Sequence, residues 1–393
     1  MQGVPVAAAF NVSRGRTGGG QVGEQGGSDA QMPDVTARDY SLTGPEGARA
    51  EALGLASAEW YHTDVPRKTM KDLMRRSDSP ATRDTAIWLG LLVLTGLGGV
   101  LTWGTWWAVA FFAVYGVLYG SACDSRWHEC GHGTAFKTQW KNDAVHALAS
   151  FMVMRNPVAW RWSHARHHTD TIIVGRDPEI ALMRPPDIAR AGLAFIGIPD
   201  VFVHFGVLVR QATGGVSAAE ASYIPASERG KVIAWARLFV GLHLAAVLVA
   251  LSSWSILPLL LVGGPRIYGT WHMVLVGLLQ HGGLAEDVLD HRLNSRTVLM
   301  NPVSRWLYWN MNYHVEHHMF PMVPYHALPR LHDLIKHDLP PANPSISHAY
   351  AEMIGALIRQ RRDPGHFARR DLPQGARPYR AEFHGQDALP EAG

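Results

Sequence analysis

Residues 105–132 read TWWAVAFFAVYGVLYGSACDSRWHECGH. Thr105–Ala122 carries no charge and is near the ~17–25 residues that span a hydrocarbon core. The chain then turns polar and sets His128 and His132 four residues apart, on one helical face. Working outward, Ala86–Thr102 is also uncharged, and a short turn at Trp103-Gly104 without Lys or Arg joins the two stretches. Leu238–Leu251 and Ile256–Gln280 form a second apolar pair around Ser252-Ser253-Trp254. These pairs predict an all-α integral membrane fold of four transmembrane helices in two hairpins. Burial in a large soluble domain is the alternative, and Trp-Gly between two uncharged stretches suits bilayer and interface better.

The remaining segments hold the cations, notably Arg67, Lys68, Lys71, Arg75, Arg76 and Arg83 before the first span. Positive charge stays inside, which predicts cytoplasmic termini and central loop. The expected organisation is a disordered segment over 1–55, a membrane domain over 56–345 and a polar tail over 346–393. Ala144–Trp162 and Ile188–Leu208 read as interfacial, the second with a re-entrant or spanning element as its alternative. Pro265-Arg266 falls within the fourth stretch, so that helix is either broken there or longer than one span. The net charge of +3 is too small to suggest nucleic acid. Cys123 and Cys130 read as buried thiols rather than a disulfide.

Two further clusters follow His128-Glu-Cys-Gly-His132: His164-Ala-Arg-His167-His168 and His314-Val-Glu-His317-His318. Random placement of 21 histidines in 393 residues would give roughly 0.06 HxxHH boxes, and the chain has two. The predicted topology puts all three clusters at one face of the membrane, in a cytoplasmic helical cap. Neutral imidazole suits Zn, Cu, Fe and Ni. Eight rings are too many for one metal and suitable for two, which suggests dinuclear iron and oxygen activation. HECGH also matches HExxH, which would make Glu129 a general base, but that leaves the other two boxes without a task. A metal transporter or storage protein would place ionisable groups within the spans, whereas these lie outside them. Asp170, Asp177, Asn312 and Glu316 are candidates to fix ring tautomers. His204, His243, His326, His332 and His337 fall in no box and read as ordinary histidines.

These boxes and their contexts, including Asn310-Met-Asn-Tyr-His-Val-Glu-His-His-Met-Phe-Pro and Trp-Ser-His164-Ala-Arg-His-His-Thr-Asp170, closely resemble the membrane fatty acid desaturase and hydroxylase superfamily over about residues 60–345. With Val-Gly-Arg-Asp177-Pro-Glu179, the second box is similar to a bacterial branch that includes a rhizopine-catabolism oxygenase. The resemblance implies that His128, His132, His164, His167, His168, His314, His317 and His318 hold two iron ions. It implies a ninth ligand before the third box: His281 is expected, with His291 and His272 as weaker candidates. It also implies O2 as co-substrate and desaturation of a fatty acyl chain in a membrane lipid, with hydroxylation or demethylation of a small polar substrate as the alternative, in a bacterial inner membrane. No Rossmann glycine fingerprint, iron–sulfur cysteine set or fused heme motif is evident. A separate donor is therefore expected: a ferredoxin, a Rieske protein, or a cytochrome with its reductase.

Overall fold

A computed structural model describes residues 38–380. Among them no strand forms, and two isolated bridges are the only β-type pairings. The principal helices are α1 Asp78–Leu101, α2 Trp106–Gly120, α3 Ala122–His132, α4 Gln139–Met152, α5 Pro157–Thr169, α6 Ile188–Ala194, α7 Ile198–Ala212, α8 Arg229–Ser252, α9 Leu257–Leu261, α10 Pro265–Tyr268, α11 Trp271–Gly277, α12 His314–Met319, α13 Leu328–Ile335 and α14 Ile346–Gln360.

Among the described residues three runs are long and apolar enough to cross a membrane: Arg67–Leu101, Trp106–His132 and Ala226–Ser252. A fourth arises if the pair α6–α7, bent by 80°, counts as one span. The bend falls at Gly197, whose φ is +70° and whose added Cβ would lie 2.0 Å from the Arg266 carbonyl oxygen. The run Trp106–His132 covers 27 residues. At 1.5 Å per residue it is about 40 Å long, against a core of about 30 Å. Its last turns therefore carry His128 and His132 past the apolar zone.

The fourth expected helix is not continuous, which corrects the four-helix expectation. Ile256–Gln280 is broken into α9, α10 and α11, because Pro265 lacks a donor N–H and clashes with the preceding turn. Free backbone carbonyls in an apolar setting cost several kcal/mol each unless they are bonded, and side chains bond them here. Tyr115 OH donates to Leu261 O at 2.8 Å, Tyr268 OH to Leu260 O at 2.6 Å, and Ser121 Oγ to Gly269 O at 2.6 Å. Buried Arg266 donates to Gly120 O at 2.6 Å and to Asp200 at 2.5 Å. The ambiguity at Pro265-Arg266 thus resolves to a break whose charge is paired with α7.

The broken segment crosses α2 where Gly116 and Gly120 present no side chain, a small-xxx-small contact. A Cβ on Gly269 would lie 1.9 Å from Gly116 O.

The terminal segments also differ from the organisation expected. Of the segment expected to be disordered, 1–37 lies outside the described residues. Residues 38–55 pack down: Leu55 is buried, Tyr40 OH donates to Glu286 at 2.8 Å, and Arg38 pairs with Glu286 and Asp287. The expected polar tail begins instead with α14. Its Ala349, Met353, Ala356 and Leu357 are buried at a 3.6-residue period, and the helix packs on Leu279 and Val298.

Gly269→Ala should destabilise the protein by about 1–3 kcal/mol through overpacking. Gly241→Ala in α8, with nothing near its Cβ position, should be neutral or slightly stabilising. Thermal unfolding of the two variants in one detergent checks the contrast.

Candidate metal centre

Local signals set each histidine-bearing helix in place. Gly133, with φ +69°, ends α3 directly after His132, and its N–H bonds Cys130 O, a left-handed cap that stops the helix at the second ring. In α5 the Asn156 side chain accepts from the N–H groups of Val158 and Ala159, and Pro157 occupies the first turn. His164, His167 and His168 then lie on the last two turns. Helix α12 is a single short segment that carries all of the third box.

The nine histidines singled out from the sequence converge in two groups. Ring nitrogens of His128, His132, His164, His168 and His317 lie within 4.8 Å of one another, and so do those of His167, His281 and His318. His314 joins the second group, its Nε2 3.0 Å from His281 Nε2 and 3.0 Å from His318 Nε2. In the first group, His164 Nε2 lies 3.0 Å from His132 Nε2 and 3.1 Å from His168 Nε2.

These nitrogens face one another as lone pairs. His164 Nδ1 is 2.8 Å from Glu179 and His167 Nδ1 is 2.8 Å from Asp177. His281 Nδ1 is 2.8 Å from the Asn294 carbonyl oxygen. Each acceptor requires the proton on Nδ1, which leaves Nε2 bare. Two nitrogens at about 2.1 Å from one first-row ion, at a right angle, would be about 3 Å apart. Both nitrogens of His128 and both of His317 are buried without a partner. Each neutral ring carries one lone pair among these nitrogens, an orphaned acceptor that calls for an explanation, and a cation at the centre of the first group supplies one.

Electrostatics agree. Burial, reinforced by neighbouring imidazoles, holds His164, His168, His281, His314, His317 and His318 well below the ordinary 6.5. They are therefore neutral, the ligating form. His167 is the exception. Burial opposes its protonation, but the charge and hydrogen bond of Asp177 outweigh it and raise the value. That pair draws positive charge to the centre, whether a proton or a metal ion. Burial lifts Glu179 to about 7.

Of the tautomer candidates, Asp177 alone among the four meets a box ring as its hydrogen-bond partner. Asp170 pairs with Arg166 and Arg176, Asn312 bonds Val298 O, and Glu316 binds His332 and Thr297. Glu179 takes the second tautomer role, and its signal was visible two residues after Asp177 in Arg-Asp-Pro-Glu. Asn294 acts through its backbone, which no side-chain pattern shows. Glu129 accepts from Thr134 and the Tyr325 N–H, so it is held structurally and stands in neither cluster. His272 and His291 also lie outside both groups. His291 stacks on Trp60 at 4.2 Å, with its ring 5.2 Å from that of His318. Cys123 and Cys130 are buried free thiols.

A family model described as fatty acid desaturase matches residues 104–350. An omega-3 fatty acid desaturase (chloroplastic) of Glycine max is 25% identical over 287 residues, 64% of this chain and 58% of that protein. An sn-2 acyl-lipid omega-3 desaturase (ferredoxin), chloroplastic, of Helianthus annuus is 24% identical over 297 residues, 67% of this chain and 62% of that protein. A Delta(12)-acyl-lipid-desaturase of Punica granatum is 30% identical over 95 residues, 23% of each chain. The aligned stretches thus cover less than two thirds of each relative's own length.

Two outcomes are expected. Asp177→Asn and Glu179→Gln should each lower metal affinity roughly 10–100-fold with little loss of fold, read by metal competition against a chelator. For the metal-free protein, six imidazoles titrate near 6.5 when unfolded and far lower when folded. Below 6.5 the unfolded chain binds more protons, so stability falls as pH drops from about 7 to about 5. His167 acts oppositely and is outnumbered. Melting temperature against pH checks this, and added ferrous iron should flatten the curve.

Proposed function

The chain belongs to the fatty acid desaturase family, and from that premise we propose that it is a non-heme di-iron oxidoreductase of a membrane, using O2 and externally supplied electrons to oxidise unactivated C–H bonds. The observation that carries this reading is the convergence of nine imidazoles from distant parts of the chain into two adjoining groups of bare nitrogens. His128, His132, His164, His168 and His317 would hold one ion, and His167, His281, His314 and His318 the other. No thiolate takes part, and an all-imidazole set suits iron better than a closed zinc site.

Iron held there would supply reductive activation of O2. The chain's own residues supply the rest. Asp177, Glu179 and the Asn294 carbonyl orient rings. Burial of the box histidines keeps the interior dry, which strengthens every electrostatic contact within it. The membrane runs bring an apolar substrate to the end of α3, where the first box lies. Removing two hydrogens gives an alkene: the substrate yields two electrons, the donor two, and O2 leaves as two waters. Insertion of one oxygen gives an alcohol instead, with the other oxygen leaving as water. The names of the relatives favour an acyl lipid as substrate and desaturation as outcome. Hydroxylation or demethylation of a polar substrate is favoured by one observation, the polar patch in the cavity beside His128.

Electrons come from a separate protein, and the relative named with ferredoxin supports a donor of that class. The exposed cations Arg67, Lys68, Lys71 and Arg75 support a cytoplasmic placement of this end, at the inner membrane of a bacterium.

His167→Ala should abolish turnover while the protein remains membrane-inserted. Purified active protein should contain about two irons per chain. A product mass change of +16 or −2 distinguishes insertion from desaturation. Iron-free active protein would overturn the reading.

A further inference from the structure

A cavity of about 130 Å³ adjoins the first group of histidines. Its volume is close to that of an engineered cavity that holds benzene, roughly 150 Å³. One wall is apolar, formed by Met273, Val274, Gly277 and Leu278, and the other holds Asp124, Trp127, His128 and Arg155.

Three features of the polar wall point to a ligand. The Asp124 carboxylate lines the cavity and accepts no hydrogen bond from any described residue. The Trp127 indole N–H is buried with no acceptor, its residue only 3% exposed. Arg155 is held against His204, Nη2 to Nε2 at 3.1 Å, while its Nε finds no acceptor. A buried donor without an acceptor is costly, and a bound molecule removes that cost. The Glu179 carboxylate also lines the cavity, but its oxygens are already engaged by Ser163 and His164.

Position adds a distance. Asp124, His128 and His132 recur every four residues on one face of α3. Asp124 and His128 are therefore one turn apart, with Cβ atoms about 5–6 Å from each other, the length of four or five C–C bonds.

We propose that this cavity binds a substrate group that both donates and accepts hydrogen bonds, with a hydroxyl as its simplest form. It donates to Asp124 and accepts from Trp127 and Arg155. That group is thereby held one helical turn from His128. This rests on the reading of the histidine groups as the metal centre. The hydroxyl can belong to a small soluble molecule or to a lipid headgroup.

The test uses full-length, metal-free protein in phosphatidylcholine nanodiscs and two matched pairs of probes. Hexane-1,2-diol is compared with its dimethyl ether, and 1-decanoylglycerol with methyl decanoate. In at least one pair the hydroxyl-bearing member should bind roughly tenfold tighter. That advantage should shrink to about twofold or less in Asp124→Ala and in Trp127→Phe. An advantage for the diol identifies a soluble source, and one for the decanoylglycerol alone a headgroup. Equal binding within both pairs, or an advantage untouched by both substitutions, overturns the proposal. If the variants fail to fold, the wild-type comparison decides by itself. Because no metal is present, the outcome is independent of iron content, which is measured separately on iron-loaded protein. Loss of one result therefore leaves the other standing.

Discussion

Nine largely buried imidazoles, most of them neutral, with their lone pairs turned inward repel one another unless positive charge lies between them. That electrostatic requirement shapes the molecule. It demands acceptors on the far side of the rings, met by Asp177, Glu179 and the Asn294 carbonyl. It demands rigid helices that end where the rings must sit, met by Gly133 after α3 and Asn156 before α5. It also demands burial, without which water would satisfy each nitrogen singly and the groups would drift apart.

The membrane part serves the same end by a different route. A 27-residue helix is longer than the bilayer core, so the first box projects from it without a connecting loop. Opposite it, the broken segment α9–α11 gives up regular backbone bonding and recovers it from Tyr115, Ser121, Tyr268 and Arg266. Irregular backbone at such depth is tolerated where protein encloses it, and the close glycine crossing with α2 provides that enclosure.

Much of this was legible in the sequence because it rests on strict spacing. HxxxH and HxxHH announce their faces through helical geometry, and uncharged runs of membrane length announce the spans. His281 came from resemblance and joins the second group. Signals that depend on three dimensions stayed hidden. Arg266 reads as an obstacle to a span until Asp200 appears opposite it, about 66 residues earlier in the chain. Glu179 looks like any surface carboxylate until His164 turns toward it. The amphipathic period of α14 was present, but a polar average across 346–393 masked it. How the boxes divide between the groups was also beyond one-dimensional reading.

That division has a mechanical consequence. His167 and His168 are joined by a single peptide bond yet serve different groups, and the same holds for His317 and His318. A planar link of fixed length ties the two centres together twice. Their separation is therefore set by covalent geometry rather than by soft packing. Neither centre can widen, tilt or empty without pulling on its twin, so the pair behaves as one unit.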